Sequence, residues 1–256
     1  MLIMLQVVRL SIYENDRTLK LFHLQKVHMK TAILVDGGFY RRRAQKVFGD
    51  INAQDRAIEL ANYCRRHLNS HGENNNELYR IFYYDCPPTA KRIFHPFLQR
   101  QVDLSKSDLY VWMNQFLDEL KKKRKFAIRL GKLAEEQAHY TIRPDIVKKL
   151  CNGKLSFSDL TEADFCIEID QKGVDMKIGL DIASLAYKQQ VGQIILISGD
   201  SDFVSAAKLA RREGIDFILD PLGAPIKPDL FEHIDGLRTC DRAYTQSAGT
   251  DQNVPS

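Results

Sequence analysis

Two short, unbroken apolar runs in this chain each end in acid. Residues 33–35 (ILV) stop at Asp36, and residues 194–197 (IILI) pass through Ser198 and Gly199 into Asp200-Ser201-Asp202. Successive side chains of a strand point to opposite sides, so a strand that is apolar throughout must be covered on both faces. Parallel strands inside an α/β sheet meet that condition. Ligands of such sheets bind beyond the carboxyl ends of the strands, which is where these acids stand.

The rest of the pattern alternates in the same way. Helical spacing is read over 54–69, with Ile58, Ala61 and Arg65 in register, and an aromatic strand over 78–84 stops at Asp85-Cys86-Pro87-Pro88. A helical stretch over 89–125 has Ser107 as N-cap and Leu109, Trp112, Met113, Phe116, Leu117 and Leu120 along one face. Further strands are read at 126–130, 164–169, 193–197 and 215–219, and helices at 143–151, 174–189 and 203–212. Strands alternating with helices predict right-handed crossovers and a three-layer α/β sandwich around a mostly parallel sheet. A helical insertion is placed at about 89–163. Residues 1–28 carry no motif and are placed outside the core fold, whose domain spans 29–242; residues 243–256 are polar and expected to be a disordered tail.

Composition excludes more than it selects. The net charge of +4 permits a nucleic-acid partner without requiring one. The 5 cysteines include no C-x-x-C pair and no histidine set that completes a zinc site, which argues for a reducing, cytoplasmic setting. No apolar run approaches the roughly 20 residues that cross a bilayer, so no membrane is expected. No Walker loop or G-x-G-x-x-G is present.

A third acid, Asp175 in Lys172-Gly173-Val174-Asp175, stands at a helix start from which a loop can carry it to the same edge. Carboxylates gathered at one point repel unless a cation neutralises them, and oxygen donors suit Mg²⁺ or Mn²⁺. Such a centre can polarise a phosphate oxygen and lower the pKa of a bound water, which suits phosphodiester hydrolysis. The plain alternative for any one acid is that it caps the following helix or turn. Asp181, six residues after Asp175, is off that face and is expected to pair with Lys177 or to support the centre from behind. Ser198 and Ser201 are expected as polar neighbours of the acids.

Residues 35–40 (VDGGFY), 172–183 (KGVDMKIGLDIA) and 197–203 (ISGDSDF), in this order and followed by LARREGIDFIL, resemble the NYN-domain family, in particular its LabA-like (DUF88) branch. The resemblance runs over about residues 29–240. It implies a PIN-like nuclease fold with a Mg²⁺ or Mn²⁺ centre acting on RNA. It maps the metal-holding, catalytic acids onto Asp36, Asp175, Asp200 and Asp202. Many relatives carry Asn three residues after the first acid, where this chain has Phe39.

Arg41 and Arg42 follow the first acidic loop, and Lys172 and Lys177 flank Asp175; these four are candidate phosphate contacts. Single-stranded RNA is the expected partner, and a homodimer is allowed by the apolar middle helices. Two other functions fit the pattern less well. One is a module that binds RNA without cutting it. The other is a phosphatase with a nucleophilic Asp, which requires a second Asp two positions on, where Gly38 stands.

Overall fold

The computed structural model describes residues 29–69 and 76–248. The expected extension 1–28 lies outside them. Six parallel strands form one sheet: β1 (Met29–Asp36), β2 (Asn76–Asp85), β3 (Phe126–Leu130), β4 (Gln193–Ile197), β5 (Asp216–Asp220) and β6 (Gly236–Leu237). Their spatial order is β6-β5-β4-β1-β2-β3. The chain builds outward from β1 through β2 to β3, then returns to the other side of β1 and builds outward through β4, β5 and β6. The reversal falls between β1 and β4, which makes the crevice between their carboxyl ends the expected ligand site.

Side-chain alternation divides the core in two. Ala32 and Leu34 face one side with Ile194, Leu196, Phe217 and Leu219, beneath α4 (Val174–Tyr187) and α5 (Val204–Arg212). Ile33 and Val35 face the other with Ile195, Ile197, Ile81 and Tyr83, beneath α1 (Gly37–Phe48), α2 (Ala53–Arg66) and α3 (Asp108–Lys121). This is the expected three-layer sandwich, and it explains why β1 and β4 are apolar at successive positions.

Some expected details shift. Helix α2 packs through Ala57, Leu60, Ala61 and Cys64, leaving Ile58 40% exposed. Leu109, placed on the packed face of α3, is 64% exposed. The middle stretch carries α3 and the helix Pro144–Cys151, together with the hairpin Arg92–His95/Arg100–Asp103 and the pair His139–Ile142/Phe165–Glu168. Residues 243–248, expected to be disordered, instead belong to the helix Arg242–Ala248, which seats Tyr244 in the core. Tyr244 meets Phe48 and Tyr63 edge-on, with centroids 5.2 and 5.4 Å apart. A polar composition concealed that single aromatic anchor.

Candidate functional site

Strands β1, β2 and β5 each end in an aspartate, and β4 is followed by two. Register puts their ends level, with Val35 opposite Ile197 and Asp36 opposite Tyr84. The edge therefore carries Asp36, Asp85, Asp200, Asp202 and Asp220. Two of them are consumed internally. Asp85 accepts Arg41 Nε at 2.9 Å, Arg41 Nη2 at 3.1 Å, the Tyr83 hydroxyl at 2.7 Å and the Cys86 amide at 2.8 Å. Asp220 accepts from Tyr63, from Thr239 Oγ1 at 2.8 Å and from the Leu222 amide at 2.9 Å, and meets His67 Nε2 at 2.8 Å. Both side chains are wholly buried, and such donor sets are what a buried carboxylate requires.

Asp36, Asp175, Asp200 and Asp202 have no ion-pair partner among the described residues. Asp36 Oδ1 accepts the Phe39 amide at 3.0 Å as N-cap of α1, while Oδ2 accepts the Ser198 hydroxyl at 3.3 Å. Ser198 Oγ in turn accepts the Asp200 amide at 3.2 Å, so one hydroxyl ties the two strand ends together. Asp200 Oδ1 accepts the Asp202 amide at 3.0 Å, capping the turn Ser201–Phe203. Capping and ligand holding are thus compatible, since each cap uses one carboxylate oxygen.

Asp175 reaches this edge through a close approach at Gly131. A Cβ at position 131 would stand 2.7 Å from the Lys172 carbonyl and 2.9 Å from Val174 Cγ2. The segment can therefore lie against the end of β3 before α4 begins. At its first turn Asp175 faces Asp202 across a groove of about 450 Å³ that Met176, Gly179 and Phe203 also line.

The electrostatics mark a crowded negative centre. Burial raises the Asp36 carboxyl above its usual range, and the charge of Asp175 adds to that, against the opposing pull of the Phe39 amide and Arg42. Asp175 is raised by burial and then by Asp200 and Asp202. No three His, Cys, Asp or Glu side chains among the described residues stand close enough to close one direct coordination sphere. The donor set is nevertheless all oxygen, with Asp36 and Asp175 raised by burial first and by neighbouring carboxylates second, and fits a hard cation held by one or two carboxylates and water.

The candidate phosphate contacts divide. Arg41 is committed to Asp85, so it is a structural partner rather than a free cation. Arg42 is exposed, makes no side-chain bond among the described residues, and acts on Asp36 through its charge. Lys177 is exposed on α4, and Lys172 makes only an exposed pair with Asp170 at 3.2 Å. Asp181 pairs with Arg129 Nε at 3.1 Å and the Tyr84 hydroxyl at 2.8 Å, not with Lys177. Helical spacing reported its neighbours along α4 but not those across the sheet. Ser201 accepts Lys227 Nζ at 3.0 Å, which adds a cation that no motif announces. Gln171 is a second addition: a Cβ at Gly38 would lie 3.6 Å from both Asp36 Oδ1 and Gln171 Oε1. The position of Gln171 beside the Lys172-Gly173-Val174-Asp175 motif was the only available signal.

Phe39 packs its ring on the acidic loop. A Cβ at Gly199 would meet Phe39 Cε2 at 2.6 Å, so the glycine is what admits the ring.

No helix among the described residues is long and apolar enough to cross a membrane. A search of curated proteins returned no match. Among solved structures, the chain is similar to a protein of unknown function from Vibrio parahaemolyticus RIMD 2210633. That likeness has a TM-score of 0.44 at 15% identity, covering 85% of this chain and 96% of the other. A family model of the NYN domain matches residues 30–225, taking in β1 through β5 and every acid of the centre. The chain belongs to the NYN-domain family, a PIN-like family of nuclease type.

Proposed function

We propose that this protein is a cytoplasmic endoribonuclease of the LabA-like branch, acting on single-stranded RNA with Mg²⁺ or Mn²⁺ held by Asp36, Asp175, Asp200 and Asp202, one or two of them directly and the others through its water. One observation supports the reading above the others. At an edge where Asp85 and Asp220 are satisfied, Asp36 feels the charge of Asp175, Asp175 feels those of Asp200 and Asp202, and none of the four has an ion-pair partner among the described residues. A bound divalent ion supplies charge stabilisation to the phosphate and acidifies water. The chain's part is positional. The Phe39 and Asp202 amides hold one oxygen each of Asp36 and Asp200, fixing both carboxylates before any ligand arrives. Ser198 sets their separation. Arg42, Lys177 and Lys227 offer cationic contacts for flanking phosphates.

Labelled single-stranded RNA incubated with Mn²⁺ or Mg²⁺ is expected to show internal cuts that Asp200→Asn abolishes. Cleavage by that variant at the wild-type rate overturns the assignment. A second reading, an RNA-binding module without cleavage, is favoured by the apolar ring of Phe39, at a position where many relatives carry Asn, lying on Gly199. Tight RNA binding with no cutting under any divalent metal selects it.

A further inference from the structure

A pocket of about 210 Å³ opens beside the acidic centre and takes no part in the chemistry above. Its walls come from three places: Pro88 after β2, Leu109 and Met113 of α3, and Ile167 and Ile169 leading to Gln171. The Arg41–Asp85 pair lines it as well, and both groups are occupied with each other. Thr89, Ser107 and Tyr110 add polar groups, and so does Gln171, which is exposed. Its side-chain amide makes no hydrogen bond among the described residues, and it lies over Gly38 together with Asp36 Oδ1. The pocket therefore has largely apolar walls, a few polar groups that include the Gln171 amide, and a lip shared with the carboxylates.

We propose that this pocket holds one base of a single-stranded RNA whose adjoining phosphate lies at the acidic centre, with Gln171 reading the edge of that base. The inference rests on the ribonuclease reading and deepens it. An unstacked base presents flat apolar faces and a hydrogen-bonding edge, the two features that these walls and this amide match. A carboxamide supplies one donor and one acceptor side by side, which suits a base edge better than a phosphate. The shared lip accounts for the order of the parts: base in the pocket, sugar over Gly38, phosphate at Asp36 and Asp200.

The test uses short RNAs that differ at one nucleotide, including an abasic one, with binding read by fluorescence anisotropy in the Asp200→Asn background. Stacking contributes enough that the abasic RNA is expected to bind about tenfold more weakly than the best base. Ile169→Trp, which fills the pocket, is expected to bind every RNA at that weaker level. Gln171→Ala is expected to keep most of the affinity while flattening the differences between bases. Equal affinity for all bases and for the abasic RNA overturns the pocket, even where wild-type protein cuts RNA. A base preference that survives both substitutions also overturns it. Absence of RNA cleavage by the wild-type protein instead strikes the underlying ribonuclease reading, and absence of RNA binding strikes both.

Discussion

Arg41 places two guanidinium nitrogens on the two oxygens of Asp85, at 2.9 and 3.1 Å, although it stands one residue from Arg42, which faces solvent. Adjacent residues on α1 point about 100° apart, so one arginine is drawn to the end of β2 and the other is left at the rim of the acidic centre. The two therefore serve different ends.

Arg41→Ala leaves Asp85 buried with only the Tyr83 and Cys86 donors. Breaking such a pair costs about 3 kcal/mol, less here because the Arg41 side chain is 23% exposed. Urea denaturation is expected to show a midpoint shift worth about 2 kcal/mol for Arg41→Ala and almost none for Arg42→Ala. RNA affinity is expected to fall in Arg42→Ala. The reverse pattern would contradict the placement of both side chains.

The raised carboxyls make a signed prediction about pH. A carboxyl whose folded pKa exceeds its unfolded value near 3.9 favours the native state below that value. The benefit disappears as pH climbs through the folded value. Asp36 and Asp175 both belong to this class. In EDTA, wild-type Tm is therefore expected to fall relative to Asp36→Asn across a window that opens near pH 4 and extends upward. At neutral pH, Asp36→Asn and Asp175→Asn are expected to melt higher than wild type without metal, and to gain less from added Mn²⁺. A wild-type melting curve insensitive to Mn²⁺ would count against a cation site.

Gly199 and Phe39 form a testable couple. Gly199→Ala drives a methyl group into the Phe39 ring, and overpacking of this kind costs about 1–3 kcal/mol. The distorted loop carries Asp200, so metal-dependent cleavage is expected to fall as well. Phe39→Ala in the same chain is expected to restore much of both, giving a coupling energy on the order of 1 kcal/mol in a double-mutant cycle. Strict additivity would mean that the ring does not rest on the loop.

Tyr63→Phe separates the structural acids from the candidate site. It removes one donor from buried Asp220, at a cost of about 1–3 kcal/mol. RNA cleavage per folded molecule is expected to be unchanged, as measured below the shifted melting transition.

The sheet and its acidic edge were legible because both rest on local patterns: unbroken apolar runs require cover on two faces, and acids stand where those runs stop. The converse distinction was not legible. Nothing near Asp85 or Asp220 in sequence announces Arg41 or Tyr63, which lie 44 and 157 residues away. Spacing along α4 likewise pointed Asp181 toward Lys177, whereas Arg129 of β3 and Tyr84 of β2 hold it. Exposure of Ile58 and Leu109 shows the same limit, since periodicity identifies apolar stripes without saying which of two overlapping stripes meets the sheet. Gln171 and Lys227 belong to no pattern and are placed only by the closed fold.

The first strand of the domain finds one of its two neighbours only near the end of the chain, for Asp36 and Ser198 are 162 residues apart. During synthesis, Asp36 leaves the ribosome long before Asp200 and Asp202 exist. A chain that stops before residue 193 has Asp36 and Asp175 but not the pair that would face them. The proposed centre is thus complete only after the strand Gln193–Ile197 has been made and has docked beside the first strand.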